Sequence, residues 1–244
     1  MEFPPRAEWV LYLGCWASYR AVESAYCTAK ILENLQVDFT VLGKDEKCCG
    51  MPFVEMGEGE KAQKLALSNL TTARAKGATK ILAVCPGCYH SMKQALPKFA
   101  SEEMEVHHIS TFINNKIEKG EIDLTKPLNA KVTYHDPCKL ARYYNIMEEP
   151  RSTIKKIKGV QFVELQHSGL EARCCGRVYE KELAELTVAM SKERIEEAAS
   201  AKAQVIATSC PICARNLLIG AQSAKKNITV YDLPVLVAKQ AGYV

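Results

Sequence analysis

Ten of the eleven cysteines in this chain fall into two sets of five with the same spacing. The first set is Cys15, Cys48, Cys49, Cys85 and Cys88, and the second is Cys138, Cys174, Cys175, Cys210 and Cys213. Partners stand 123, 126, 126, 125 and 125 residues apart. Neighbouring text keeps the register: "ILAVCPGC" at Ile81–Cys88 matches "IATSCPIC" at Ile206–Cys213. Self-similarity at half the chain length means one structural unit used twice. The polar stretch Glu118–Lys131 holds Gly120 and Pro127, both punctuators, and is where the units should join. The expected domains are therefore 1–122 and 123–244.

Within each unit, short apolar runs alternate with amphipathic ones. "EWVLYLG" reads as a strand running into Cys15, and Ser18–Leu35 has helical periodicity. "VDFTVLG" is a strand ahead of Cys48, and Glu58–Lys76 a helix stopped by Gly77. "KILAV" is a buried strand into Cys85, with a helix from about Cys88. "VHHIS" and Thr111–Glu118 supply a last strand and helix. The second unit repeats the order with "KVTYHD", "VQFVEL", a helix over 180–199, "AQVIAT", a helix after Cys213, "NITVYDL" and a terminal helix. Such alternation predicts an α/β fold with mainly parallel sheets. Each cysteine group then follows a strand or precedes a helix, at the sheet edge where open α/β folds bind ligands. Helix N-termini there present N–H groups to anions.

Composition excludes several classes. At 244 residues, 48% hydrophobic and 25% charged, the chain is ordinary globular material. A net charge of +4 without a long basic run does not suggest nucleic acid. No apolar run approaches the roughly 18 residues of a membrane span. Glu2 and Glu8 spoil a basic leader region, so a cytoplasmic, reducing location is expected. Cysteines in such number there point to metal or redox chemistry rather than disulfides.

Cys-x-x-Cys alone is shared by zinc sites, thiol redox sites and clusters. Zinc takes four ligands, and so does a cubane iron–sulfur cluster. Five cysteines per unit is one too many for either. In a strand, adjacent side chains face opposite ways, so Cys48–Cys49 and Cys174–Cys175 can address one centre only where the backbone turns. Gly50 and Gly176 follow directly and allow that turn. Two outcomes remain open: a centre wide enough for both sulfurs, or a cluster with one spare reactive thiol.

The repeated pattern of a single cysteine, CCG and Cys-x-x-Cys resembles the cysteine-rich CCG domain of heterodisulfide reductase catalytic subunits. The supporting text is "LGCWASYR", "DFTVLGKDEKCCGMPF", "CPGCYHSMK", "VTYHDPCKLARYYNIMEEPR" and "ATSCPICARN", and it covers nearly the whole chain. The domain pair is also similar to iron–sulfur subunits of glycolate, glycerol-3-phosphate and lactate oxidoreductases. The resemblance implies two α/β CCG halves related by a pseudo-twofold. It implies two noncubane [4Fe-4S] clusters, one on each five-cysteine set. The implied activity is reduction of a small disulfide between the clusters, by the iron–sulfur catalytic subunit of a heterodisulfide reductase-like complex. A ferredoxin-like iron–sulfur subunit and a flavin-containing subunit are the implied partners. The alternative is an electron-transfer subunit of a hydroxy-acid or acyl-CoA oxidoreductase complex; a zinc-stabilised assembly module is a third class. One departure stands out. After the second CCG the family runs through glycines, whereas here Arg177, Val178 and Tyr179 follow.

Other residues have ordinary structural readings beside the functional ones. His135, three before Cys138, and His90, two after Cys88, are the candidates to hydrogen-bond a cluster sulfur or protonate a leaving thiolate. Their plainer role is a histidine bonded to backbone at a strand end or helix start. His107 and His108 read as strand residues, and Cys27 as mid-helix packing. Arg173, Arg177 and Lys139 flank second-set cysteines, where they would screen cluster charge or bind an acidic substrate; their plainer role is solvated surface charge. Trp16 beside Cys15 reads as core or shielding.

Overall fold

The computed structural model describes residues 2–98, 104–177 and 183–244. Two four-stranded sheets are present among them, and every strand pairing is parallel. The first holds β1 (Trp9–Tyr12), β2 (Phe39–Val41), β3 (Lys80–Ala83) and β4 (Glu105–His108), in the order β2-β1-β3-β4. The second holds β5 (Ala130–His135), β6 (Val160–Phe162), β7 (Val205–Thr208) and β8 (Thr229–Asp232), in the order β6-β5-β7-β8. The order is the same in both, as a duplicated unit requires.

The central strands are apolar on both faces. Val10, Leu11 and Tyr12 of β1 are fully buried, as are Ile81, Leu82 and Ala83 of β3. That continuous burial is the mark of a parallel strand covered by helices on either side. Trp9 lies opposite Phe39 on one neighbour and Lys80 on the other. From β1 the chain moves outward to β2, then returns across β1 to build β3. The reversal falls between β1 and β3, and again between β5 and β7. At such a switch point the carboxyl ends of the strands open a crevice.

The helices of the first half are α1 (Gly14–Tyr19), α2 (Val22–Asn34), α3 (Met51–Glu55), α4 (Gly59–Ala75), α5 (Pro86–Ala95) and α6 (Ile109–Glu118). Those that follow are α7 (Cys138–Tyr144), α8 (Glu148–Lys155), α9 (Ala184–Ser200), α10 (Pro211–Ser223) and α11 (Leu233–Gln240). The single helix expected over Ser18–Leu35 is two. The amides of Arg20 and Ala21 both donate to the carbonyl of Trp16, which closes α1 and turns the chain before α2. The helix expected over Glu58–Lys76 is α4, and Gly77 ends it at φ +81°. The start of the helix expected over 180–199 lies outside the described residues, and α9 is its remainder.

Two compact units divide the chain, Met1–Ile109 and Ser110–Val244. By this division α6 and the polar stretch Glu118–Lys131 belong to the second unit. Glu118 shows why: it accepts hydrogen bonds from Ser152 at 2.9 Å and Lys156 at 2.7 Å at the end of α8. No helix among the described residues is long and apolar enough to cross a membrane.

Candidate metal centres

The cysteines occupy the carboxyl edge of each sheet. Cys15 is the second residue of α1, just past β1. Cys85 is the N-cap of α5, just past β3, and Cys88 sits in that helix's first turn. Cys48 and Cys49 lie in the loop between β2 and α3. The second half repeats this placement. Cys138 opens α7 after β5, Cys210 caps α10 after β7, and Cys213 lies in its first turn. The two central strands of each sheet therefore deliver cysteines to both sides of the switch point.

The CCG turn depends on its glycine. Gly50 adopts φ +88° and Gly176 φ +86°. A Cβ on Gly50 would stand 2.6 Å from the backbone oxygen of Ala62 on α4. One on Gly176 would stand 2.5 Å from the backbone oxygen of Thr187 on α9. Conformation and close packing both demand glycine here. The turn lets the paired cysteines interact. Hydrogen bonds from Cys48 and Cys88 hold the Cys49 thiol well below its usual range, and raise Cys48 and Cys88 in return. Cys88 also bonds Cys85, while Cys15 at the start of α1 is exposed at the surface, and partial desolvation with the charges of Cys49 and Cys85 raises it. All five first-set thiols thus sense one another. In the second set, Cys175 is lowered by bonds from Cys174 and Cys213, and Cys213 also bonds Cys210. Cys138 is half-buried at the start of α7.

Backbone amides converge on the sulfurs. Gly50 N donates to Cys48 Sγ at 3.5 Å, Gly176 N to Cys174 Sγ at 3.4 Å, and Cys213 N to Cys210 Sγ at 3.5 Å. Gly14, at φ +72°, brings the start of α1 so close that a Cβ would lie 2.7 Å from Cys88 Sγ. In each set the adjacent pair lies close enough to the Cys-x-x-Cys thiols to shift their ionisation, and most of these sulfurs are buried. Free thiols have no use for such a gathering, since packed cysteines are ordinarily dispersed hydrophobes. His135 Nδ1 is moreover buried without a hydrogen-bond partner beside this group. A sulfur-rich anionic group would satisfy it and accept the amides. The donor set fits a thiolate-held cluster.

His135 ends β5, and its ring meets Cys175 and Cys213 so that one ligand atom of each lies within 4.8 Å of the others. His90 is buried on α5 and walls a cavity of about 420 Å³, with Ser91, Gln94 and Lys98 of its own segment and Glu60 and Gln63 of α4. His107 and His108 are strand residues of β4, as expected. Burial pushes the His108 ring down to about 4, and Tyr89 meets it edge-on. Cys27 is packed inside α2. Trp16 is only half-buried. Arg173 is exposed and pairs with Glu193 at 3.6 Å, while Lys139 lies over the ring of Tyr143. Arg177 is half-buried; Val178 and Tyr179, where the family's glycines would run, lie outside the described residues.

Sequence reading missed four residues that shape the sites. Tyr12, the counterpart of His135, donates to Lys47 O at 2.7 Å. Glu46 accepts from Leu13 N and Gly14 N at 3.2 and 2.8 Å, and burial pushes its carboxyl up to about 7. Asn216 reaches Cys175 Sγ at 3.9 Å. Arg151 is buried against Asp136. The repeat itself held a signal for two of them, because Tyr12 against His135 and Ser91 against Asn216 are changes at equivalent positions beside cysteines.

Comparison with known proteins agrees with the cysteine register. A family model described as a cysteine-rich domain, CCG, matches residues 9–93 and again 132–218. A dihydromethanophenazine:CoB--CoM heterodisulfide reductase subunit of Methanosarcina acetivorans is 38% identical, over 99% of this chain and 61% of its own length. A probable iron-sulfur-binding oxidoreductase of Bacillus subtilis is 31% identical, over 95% of this chain and 34% of its own. A fumarate reductase (CoM/CoB) subunit of Methanothermobacter marburgensis is 29% identical, over 83% of this chain and 40% of its own. This chain thus spans 61% of the length of the heterodisulfide reductase subunits it matches. Among solved structures, a glutamate racemase of Bacillus anthracis aligns over 96% of this chain and 79% of its own at 11% identity and a TM-score of 0.44, too loosely to bear on fold or chemistry.

Proposed function

The chain belongs to the cysteine-rich CCG domain family, and on that premise we propose that it is the disulfide-reducing iron–sulfur subunit of a heterodisulfide reductase-like complex. The first cluster is held by Cys15, Cys48, Cys49, Cys85 and Cys88, and the second by Cys138, Cys174, Cys175, Cys210 and Cys213. The observation that carries this reading is the repeated gathering of linked thiols at a switch point, with amides aimed at them. Five thiolates per set exceed the four of a cubane, which favours the noncubane form of [4Fe-4S].

When bound, such clusters supply electrons one at a time to a substrate disulfide. The residues of the chain do the rest. The glycine-hinged pairs turn both adjacent sulfurs inward, and α5 and α10 bring their N-terminal amides to the ligands. His135 stands at a ligand sulfur, where its ring can hold a proton for a departing thiolate. His90 is the corresponding candidate in the first half. Both cysteine sets are needed, since cleavage of a disulfide to two thiolates takes two electrons. A ferredoxin-like subunit as donor, a flavin-containing subunit in the same complex and a cytoplasmic location complete the proposal.

The relatives named as oxidoreductases of other kinds favour a second reading, an electron-transfer subunit of a hydroxy-acid or acyl-CoA oxidoreductase complex. One experiment separates the two. Protein purified without oxygen should contain about eight irons and eight sulfides, as two four-iron clusters require. It should cleave a small disulfide with reduced viologen as donor, and Cys88→Ser or Cys213→Ser should each abolish nearly all of that rate. Cys27→Ser should keep its iron. Stoichiometric zinc sinks the iron–sulfur proposal, and a clustered protein that passes electrons but cleaves no disulfide is the electron carrier instead.

A further inference from the structure

We propose that the two centres differ in reduction potential, and that His135 and Asn216 make the second the more easily reduced. The inference rests on the iron–sulfur reading above and concerns what these two residues do to a ligand sulfur.

Cys49 and Cys175 are equivalent, the inner members of the two adjacent pairs. Their burial is alike, at 6% and 3% exposure, so solvent does not distinguish them. Their neighbours do. At the end of β5, a ring nitrogen of His135 lies within 4.8 Å of Cys175 Sγ and Cys213 Sγ, and its buried Nδ1 has no other hydrogen-bond partner. At the end of β1 the same position is Tyr12, whose hydroxyl is directed to the carbonyl of Lys47 at 2.7 Å. In the first turns of α10, Asn216 Nδ2 points at Cys175 Sγ at 3.9 Å. At the same position of α5, Ser91 Oγ points at Met51 Sδ at 3.8 Å. Cys175 therefore has two side-chain donors beside it, one bonded and one within 4.8 Å, at positions whose first-half equivalents are turned to other acceptors. Both asymmetries act on one sulfur and in one direction.

A donor aimed at a ligand thiolate withdraws charge from the cluster. The reduced cluster carries the extra electron and gains more from that donor than the oxidised one does. Hydrogen bonds to ligand sulfur are among the levers that set cluster potential, and here they raise it. His135 and Asn216 are thus positioning residues for the electron.

The test is a redox titration of the full-length protein followed by electron paramagnetic resonance, with Cys88→Ser used to assign the second centre's signal. In the wild-type protein the second centre should be reduced first. His135→Tyr and Asn216→Ser, which place the first-half residues in the second half, should each lower that midpoint. At the wild-type midpoint the reduced-to-oxidised ratio should fall at least tenfold for His135→Tyr, about 59 mV for one electron. His135→Gln keeps a donor and should restore part of the shift, which a merely structural role would not produce. The first centre should stay where it was in every variant. If His135→Tyr assembles no second cluster, Asn216→Ser and His135→Gln decide. Equal midpoints, a second centre below the first, or variants that leave it unmoved overturn the inference while the iron–sulfur reading stands. Wild-type protein without iron and sulfide overturns both.

Discussion

The loops carrying the first and second cysteine sets stand at equivalent places but are braced by different chemistry. In the first half, buried Asn69 of α4 accepts from Lys47 N and donates to the carbonyls of Lys47 and Cys48, Tyr12 donates to Lys47 O, and one carboxylate completes the brace. Glu46, just ahead of Cys48, accepts from the amides of Leu13 and Gly14 and so ties the pair's loop to the start of α1. In the second half the position of Glu46 is Ala172 and that of Leu13 is Asp136. The charge has moved to the other side of the crevice. Asp136 accepts two bonds from Arg151 at 2.7 and 2.8 Å and one from Gly169 N at 2.8 Å. Arg151 also reaches Glu164 and Met147 O. Burial disfavours its charge, but the ion pairs more than offset that and keep it protonated. Arg142 adds bonds to the carbonyls of Leu170 and Ala172. What persists between the halves is the sulfur geometry; what varies is the means of enforcing it.

The strongest way to break the comparison is to cut the second brace. Asp136→Ala leaves Arg151 buried and short of a partner. Loss of one member of a buried pair costs about 3–5 kcal/mol. Urea unfolding of the metal-free protein should show that loss, and a change under about 1 kcal/mol would show that the network is decoration. Next come Gly50→Ala and Gly176→Ala. Each forces a non-glycine residue to positive φ, at about 1–3 kcal/mol, before the clash with α4 or α9 is counted. These two should be alike, because here the halves are alike; a large inequality would show that one CCG turn is softer than its distances imply.

Smaller effects sharpen the picture. Glu46→Gln keeps one acceptor but loses the charge, and should cost about 0.5–1.5 kcal/mol by the same measurement. Glu46→Gln is therefore expected to cost less than Asp136→Ala, and an equal loss would refute this ranking. The smallest effect is at Glu118, which ties α6 to α8 at the surface. Lys156, then Ser152, hold its carboxyl below the ordinary 4.5. A carboxyl depressed on folding adds stability above its unfolded pKa and loses it as pH falls through the folded one. Glu118→Gln should remove a small stabilisation at neutral pH, since exposed pairs contribute little, and the variant should converge with the parent as pH falls below about 4.5, where the parent loses the same contribution.

Much of this architecture was legible in the sequence. The central strands were, because parallel strands buried on both faces are continuous apolar runs, as in Ile81–Ala83. The cysteine placement followed, since each group sits at a strand end. The break between α1 and α2 was not legible: Ser18–Leu35 keeps its periodicity across a turn made by backbone bonds to Trp16. Nor was Arg151, which reads as one basic residue in the polar segment of α8. Its partners are brought to it only by the fold. The contrast of Tyr12 with His135 was visible as letters, but its meaning lay in where each hydroxyl or ring points.

The close seat of Gly50 on α4 and Gly176 on α9 also ties the shape of each cysteine pair to a later stretch of chain. Each cysteine pair precedes, along the chain, the helix that gives it its shape. During synthesis the pair emerges first as two loose thiols, and becomes a chelating unit only once Ala62 or Thr187 has docked on the glycine. Metal affinity and the folding of the turn are then linked, each favouring the other. A chain caught earlier offers exposed sulfur to oxidants, and oxidation beyond the sulfenic state is not readily reversed.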